Sequence, residues 1–93
     1  MRIDIFLKIS RLIPRRSLAQ EFCDAGLVKV NDAPAKSAKE VKAGDEIEIK
    51  RRNRITKIAV VTVPDKKQMS KGDSEGLYNI ISDELLPDED GLI

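Results

Sequence analysis

The chain has no histidine, no tryptophan and a single cysteine, Cys23. Without histidine there is no imidazole general base, no histidine-containing catalytic triad and almost no route to a zinc site. One cysteine forms neither an internal disulfide nor a metal cluster, and an unpaired thiol suits a reducing cytosol. Aromatic residues make up 3% of the chain: Phe6, Phe22 and Tyr78. So few rings cannot build the stacking platform on which single-strand binders lay successive bases. No apolar run approaches the roughly 18 residues of a membrane span. Charge recurs at Arg2, Asp4, Lys8 and Arg11, where a secretory signal would carry its apolar stretch. These absences predict a cytoplasmic protein with no membrane association, no metal and no cofactor.

What is present is charge. Charged residues are 35% of the 93 residues, and their balance of +1 conceals a separation. All 17 Lys and Arg lie in residues 1–71 with nine acids, a net of +8; residues 72–93 hold seven acids and no base, a net of −7. A basic body points to nucleic acid, against the plainer alternative of a solvated surface. The acidic end either competes with phosphates for that body or simply solubilises the chain.

Hydrophobic spacing predicts two short helices. Ile3, Phe6 and Leu7, with Ile5, Ile9 and Leu12, follow helical spacing over residues 3–13, with Pro14 as the stop. Leu18, Phe22 and Ala25 repeat over residues 16–25, and Gly26 stands where a helix closes. The period then changes. Leu27-Val28-Lys29-Val30 alternates as a short strand and Asn31-Asp32 is a turn, although Asp32 stands where glycine would favour type I′ geometry. Residues 33–40 are irregular, Gly44-Asp45 is a turn, and Glu46-Ile47-Glu48-Ile49-Lys50 is a strand with its isoleucines inward. Residues 51–54 form a basic turn, and residues 58–63 a β-branched strand ended by Pro64. Residues 65–74 are polar and predict a linker, Leu77, Ile80, Ile81 and Leu85 have the spacing of a short amphipathic helix, and residues 87–91 predict disorder. The expected class is α+β, a helical pair packed on a small, mostly antiparallel sheet, with a domain at residues 1–64 and an appended acidic tail at 65–93.

The candidate site residues cluster around the helical pair. Arg15 and Arg16 open the second helix, where guanidinium forks and free backbone N–H groups both favour phosphate. They oppose the helix dipole, so the fold itself does not ask for them. Lys8 and Arg11 lie three apart at the exit of the first helix, on the same side as Arg15 and Arg16 if the helices form a hairpin. Arg2 is a further candidate, with Asp4 as its orienting partner or as part of the site. Lys29 and Lys36 would extend the patch, and the run Lys50-Arg51-Arg52-Asn53-Arg54 is either a second RNA-reaching tip or a solubilising turn. Cys23 sits at core spacing, and no base exists to activate it.

An ordered set of segments carries a resemblance: Arg2-Ile3-Asp4, Ser10-Arg11-Leu12-Ile13, Arg15-Arg16-Ser17-Leu18-Ala19, Gly26-Leu27-Val28-Lys29-Val30-Asn31 and Val41-Lys42-Ala43-Gly44-Asp45-Glu46-Ile47. Residues 1–63 resemble the S4 RNA-binding domain. Leu7-Lys8 with Ser10-Arg11-Leu12-Ile13, and Tyr78-Asn79-Ile80-Ile81 after a polar stretch, are similar to the small stand-alone bacterial members of the heat-shock 15 kDa and ribosome-quality-control types. The resemblance implies the S4 (αL) fold and RNA binding without catalysis, by a monomer. It implies a large ribosomal subunit carrying stranded peptidyl-tRNA as target, with contacts to rRNA and tRNA. It also implies a second factor that adds C-terminal alanine to stalled chains. It assigns RNA contact to Arg2, Asp4, Lys8, Arg11, Arg15, Arg16, Lys29 and Lys36. Two other functions stay open: a general rRNA-binding adaptor in ribosome assembly or heat-shock recycling, and a basic module for an acidic protein partner.

Overall fold

The structure, a computed structural model, describes residues 1–64, 72, 74 and 76–85. Most of the predicted 65–74 linker and the predicted disorder at 87–91 lie outside the described residues. Two helices, α1 (Ile3–Ile9) and α2 (Arg16–Asp24), precede five strands: β1 (Val28–Val30), β2 (Ala33–Pro34), β3 (Glu46–Arg51), β4 (Arg54–Val60) and β5 (Tyr78–Leu85). The strands form one sheet in the order β2-β1-β3-β4-β5, every neighbour antiparallel.

α1 ends at Ile9, four residues short of the predicted boundary, and the cause is Ser10 and Arg11 rather than Pro14. The buried Ser10 hydroxyl donates to the Leu7 carbonyl at 3.1 Å and accepts from the Leu12 N–H at 3.5 Å. A hydroxyl that satisfies backbone groups locally competes with the next helical turn. Arg11 then takes the left-handed region at φ 63, its N–H reaching the Lys8 carbonyl at 3.0 Å. The Ile13 N–H returns to the Leu7 carbonyl at 3.1 Å, which folds Ile13 back into the core. α2 closes by the same device in its usual residue. Gly26 at φ 75 donates to Cys23 at 3.0 Å and Leu27 donates to Phe22 at 2.9 Å, the paired bonds of a Schellman cap.

In the sheet, Val28 opposes Ile49 and Val30 opposes Ile47, while Ile47 opposes Ile58 and Ile49 opposes Thr56. These side chains share the face that receives Ile3, Phe6, Leu7 and Ile13 from the helical layer, and all are buried. The β1–β2 turn holds Asn31 at φ 50 and Asp32 at φ 69, both positive as a type I′ turn demands. Asp32 is tolerated because Asn31 is tied down. Asn31 Nδ2 donates to Asp45 Oδ1 at 3.2 Å, and Asn31 Oδ1 accepts from the Glu46 N–H at 3.0 Å.

Two expectations about the C-terminal half are corrected. β4 begins at Arg54 rather than residue 58 and ends at Val60 rather than 63, extended through its pairing with β3. The predicted amphipathic helix of Leu77, Ile80, Ile81 and Leu85 is instead β5, paired along β4 from Val60↔Tyr78 to Arg54↔Leu85. Without it β4 would be an unpaired edge, whose free N–H and C=O groups seek a strand. Register shifts between Lys57 and Ile58, so that Ile81 is the extra residue of a bulge on β5. That extra residue breaks the two-residue alternation and leaves apolar spacing that imitates a helix. Leu77 is buried, as a packing residue should be, whereas Ile80 and Leu85 are more than half exposed.

Candidate nucleic-acid interface

The site is organised by one buried carboxylate. Asp4, in the first turn of α1, has no exposed surface. Its Oδ2 accepts from Gln20 Nε2 at 2.9 Å, Arg16 Nε at 3.2 Å and Arg2 Nη2 at 3.3 Å, and its Oδ1 accepts from the Ile5 N–H at 2.8 Å. Burial pushes its carboxyl pKa up, but the bonds from Gln20 and Arg16, the Arg16 charge and the Ile5 N–H outweigh that and hold it below its ordinary 3.8. Asp4 is therefore ionised and fully occupied inside the protein. It holds Arg2 and Arg16 in place from inside the protein.

The arginines it holds are half outside. The Arg16 side chain remains 45% exposed and that of Arg2 40%. Arg16 is anchored through Nε, which leaves its two terminal nitrogens directed elsewhere with their paired-donor geometry intact. Arg15 is the N-cap of α2 in extended conformation, exposed, with no side-chain cap bond, so the first amides of the helix keep no side-chain partner. Lys8 is exposed in the last turn of α1, and Arg11 is exposed in the left-handed turn that follows. Among the described residues, Lys8, Arg11 and Arg15 form no ion pair. An arginine at φ 63 carries a backbone cost of about 1–2 kcal/mol that glycine would avoid.

The two strand-region candidates differ in setting, since the segment that holds Lys36 is bonded to the start of α1, where the Asp4 N–H donates to the Ser37 carbonyl at 3.4 Å. Lys29 is on the outer face of the sheet, 4.0 Å from Glu48, within a charge-compensated strip where Lys57 reaches Glu46 at 3.2 Å and Asp32 at 3.8 Å. Lys36 is exposed in the irregular segment after β2, beside a shallow apolar groove that includes Pro34, Ala35 and Ala38.

Sequence reasoning left the basic turn at 51–54 undecided, and the structure ties it to the helical pair. Arg51 Nη2 donates to the Leu12 carbonyl at 2.5 Å, so the β3–β4 hairpin abuts the α1–α2 turn. The 39-residue separation of the partners explains why spacing alone did not reveal it. Cys23 is buried and its thiol is pushed up to about 11, first by burial and then by Asp4 and Asp24, which marks a core residue rather than a nucleophile. Among the described residues no group of three or more Cys, Asp or Glu is placed to hold a metal ion, and no helix is long and apolar enough to cross a membrane.

Comparison with known proteins matches this geometry to a family. A family model described as the S4 domain matches residues 1–47. The chain is 41% identical over 83 residues to the RQC P-site tRNA stabilizing factor of Streptococcus pneumoniae, covering 89% of this chain and 92% of that protein. It is 37% identical over 86 residues to the protein of the same name in Bacillus subtilis, covering 92% and 98%. Among solved structures, the trimeric heat shock protein 15 of Vibrio cholerae superposes with a TM-score of 0.80 at 26% identity, covering 88% of this chain and 82% of that one. The solution structure of the hypothetical protein HP1423 superposes at 0.78 with 36% identity, covering 90% and 100%.

Proposed function

The chain belongs to the S4 domain family, and we propose that it is a non-catalytic RNA-binding protein of the large ribosomal subunit, acting on subunits that retain peptidyl-tRNA. The observation that carries this reading is the buried Asp4 carboxylate holding Arg2 and Arg16 at 3.3 and 3.2 Å. A protein that needed positive charge merely for solubility would leave both guanidinium groups free. Fixing them lowers the conformational entropy lost when phosphate arrives, while both side chains stay partly exposed. Arg15, Lys8 and Arg11 supply the surrounding charge. Structured RNA suits such a surface, because it is recognised through backbone and shape more than through base edges.

The relatives' name, RQC P-site tRNA stabilizing factor, supports the choice of target. On this reading the protein bridges rRNA and the tRNA of a stalled subunit while a second factor extends the stranded chain. It works as a monomer in the cytoplasm.

The test is co-sedimentation with large subunits prepared with and without peptidyl-tRNA, each before and after RNase treatment. The expected result is retention that favours subunits bearing peptidyl-tRNA and is lost with RNase. Equal binding to empty subunits would favour a general assembly adaptor. Retention that survives RNase would favour a module for an acidic protein.

A further inference from the structure

We propose that the β3–β4 hairpin is a second phosphate-binding arm, coupled through Arg51 to the α1–α2 turn, so that RNA is gripped at two neighbouring places rather than at the helical pair alone. The proposal rests on the RNA-binding reading and names a part of the surface which that reading leaves unassigned.

The hairpin sets like charges against each other. Arg51 and Arg54 are directly opposed in register, with Arg52 in the turn between them. Like charges placed directly opposite weaken a strand pair, and a merely soluble turn would intersperse acids. Each opposed arginine is anchored by one nitrogen. Arg51 uses Nη2 on the Leu12 carbonyl, and Arg54 uses Nε on Asp83 Oδ1 of β5 at 3.4 Å. Asp83 is itself held by the Thr56 hydroxyl at 3.1 Å. The Arg54 side chain stays 44% exposed. This is the arrangement that Asp4 gives Arg16: one nitrogen fixed by the protein and the rest of the fork available.

The two arms meet at the α1–α2 turn. The carbonyl that Arg51 grips belongs to Leu12, the residue after the left-handed Arg11. Arg11, Arg51 and Arg54 thus bring three guanidinium groups to adjoining turns, where Asp83 pairs with Arg54. A surface that sets anchored forks beside further like charge is relieved by bound phosphates, which release condensed counterions in proportion to the contacts made.

The experiment measures affinity for large subunits carrying peptidyl-tRNA across a salt series, for the wild type, Arg51→Gln, Arg54→Gln and the double variant. Glutamine keeps a donor for Leu12 or Asp83 while removing the charge. The double variant should bind at least tenfold more weakly at moderate salt, and its log–log salt slope should flatten by about 1.4–1.8 for two lost contacts. If the double variant fails to fold by circular dichroism, each single variant should flatten the slope by about 0.7–0.9. Folded variants with unchanged affinity and slope overturn the proposal and leave a solubilising turn. A wild type that shows no salt dependence, or that stays bound after RNase, overturns the RNA reading itself and points to an acidic protein partner.

Discussion

Asp4 and Arg16 lie twelve residues apart and meet at 3.2 Å, with the Asp4 side chain wholly buried and the Arg16 side chain nearly half exposed. This pair joins the two helices and aims a cation outward in one contact. It gives Asp4→Asn an unusual expected outcome. The substitution removes a negative charge from beneath a cluster of basic residues, so a model of diffuse attraction predicts tighter RNA binding. If Asp4 orients Arg2 and Arg16, affinity for subunits should instead fall, by roughly tenfold, because the freed forks must be ordered on binding. Tighter binding by a folded Asp4→Asn protein would refute the orienting role.

Arg15 and Arg16 are adjacent but should respond differently. Each charge-assisted phosphate bond is worth about 1.5–3 kcal/mol, so either change to alanine should weaken binding roughly ten- to a hundredfold. Arg15 has no side-chain partner in the fold and opposes the helix dipole, so Arg15→Ala should leave thermal stability level or slightly raised. Arg16→Ala strips a partner from a buried carboxylate and should cost about 1–2 kcal/mol, discounted for the exposure of the guanidinium. Equal melting temperatures for the two variants would show that the Asp4 contact does not stabilise the fold.

The parts of this fold that are legible in the sequence are those set by local spacing. The α2 stripe with Gly26 behind it and the alternation of Glu46 to Lys50 follow from side-chain periodicity. The early end of α1 is hidden because arginine is an uncommon residue in the left-handed region that closes it. β5 is hidden because its bulge gives apolar residues a helix-like spacing, and its partner β4 lies beyond an intervening stretch of chain. At the site, charge pattern and resemblance single out Arg2, Asp4 and Arg16 as candidates, with Asp4 set as a partner of Arg2 alone. That one buried oxygen serves both arginines and Gln20 depends on side chains up to 16 residues apart, which no local pattern encodes.

Acid should act through the same carboxylate. The Asp4 carboxyl titrates lower in the folded protein than its ordinary 3.8, so its contribution is fully present above the unfolded value of about 3.9. It disappears as pH falls below about 4 and through the folded value. Urea unfolding of the wild type between pH 6 and 2.5 should show a steeper loss of stability below pH 4 than the same series for Asp4→Asn, which lacks the titrating group. Parallel curves would mean that other carboxylates dominate acid unfolding.

Salt should report the number of phosphates engaged. With about four to six contacts, and a coefficient of roughly −0.7 to −0.9 for each, log affinity for subunits should fall against log salt with a slope near −3 to −5. A slope near zero would identify an apolar protein interface instead.

The acidic C-terminal region includes β5, which the sheet makes structural. β5 pairs along β4 from Val60 to Arg54, so Ile58 and Val60, both buried, lie on a strand that would become an edge without it. Removing residues 78–93 should therefore destabilise the protein by several kcal/mol and favour aggregation through the bared edge, on the scale expected for opening a packed core. Truncation consequently cannot test whether the acids compete with RNA. Neutralising Asp88→Asn, Glu89→Gln and Asp90→Asn together changes no residue of β5, so the stability that the strand supplies should be kept. If the acidic end screens the basic face, the triple variant should bind a generic RNA duplex several-fold more tightly at moderate salt. Its affinity for subunits bearing peptidyl-tRNA should change little, so preference for the specific target narrows. The gain should vanish at high salt, where charges more than a few ångströms apart no longer sense each other. Unchanged duplex binding at low salt would leave the acids a solubilising role alone. Loss of subunit binding without any change in duplex binding would make them a direct ribosomal contact.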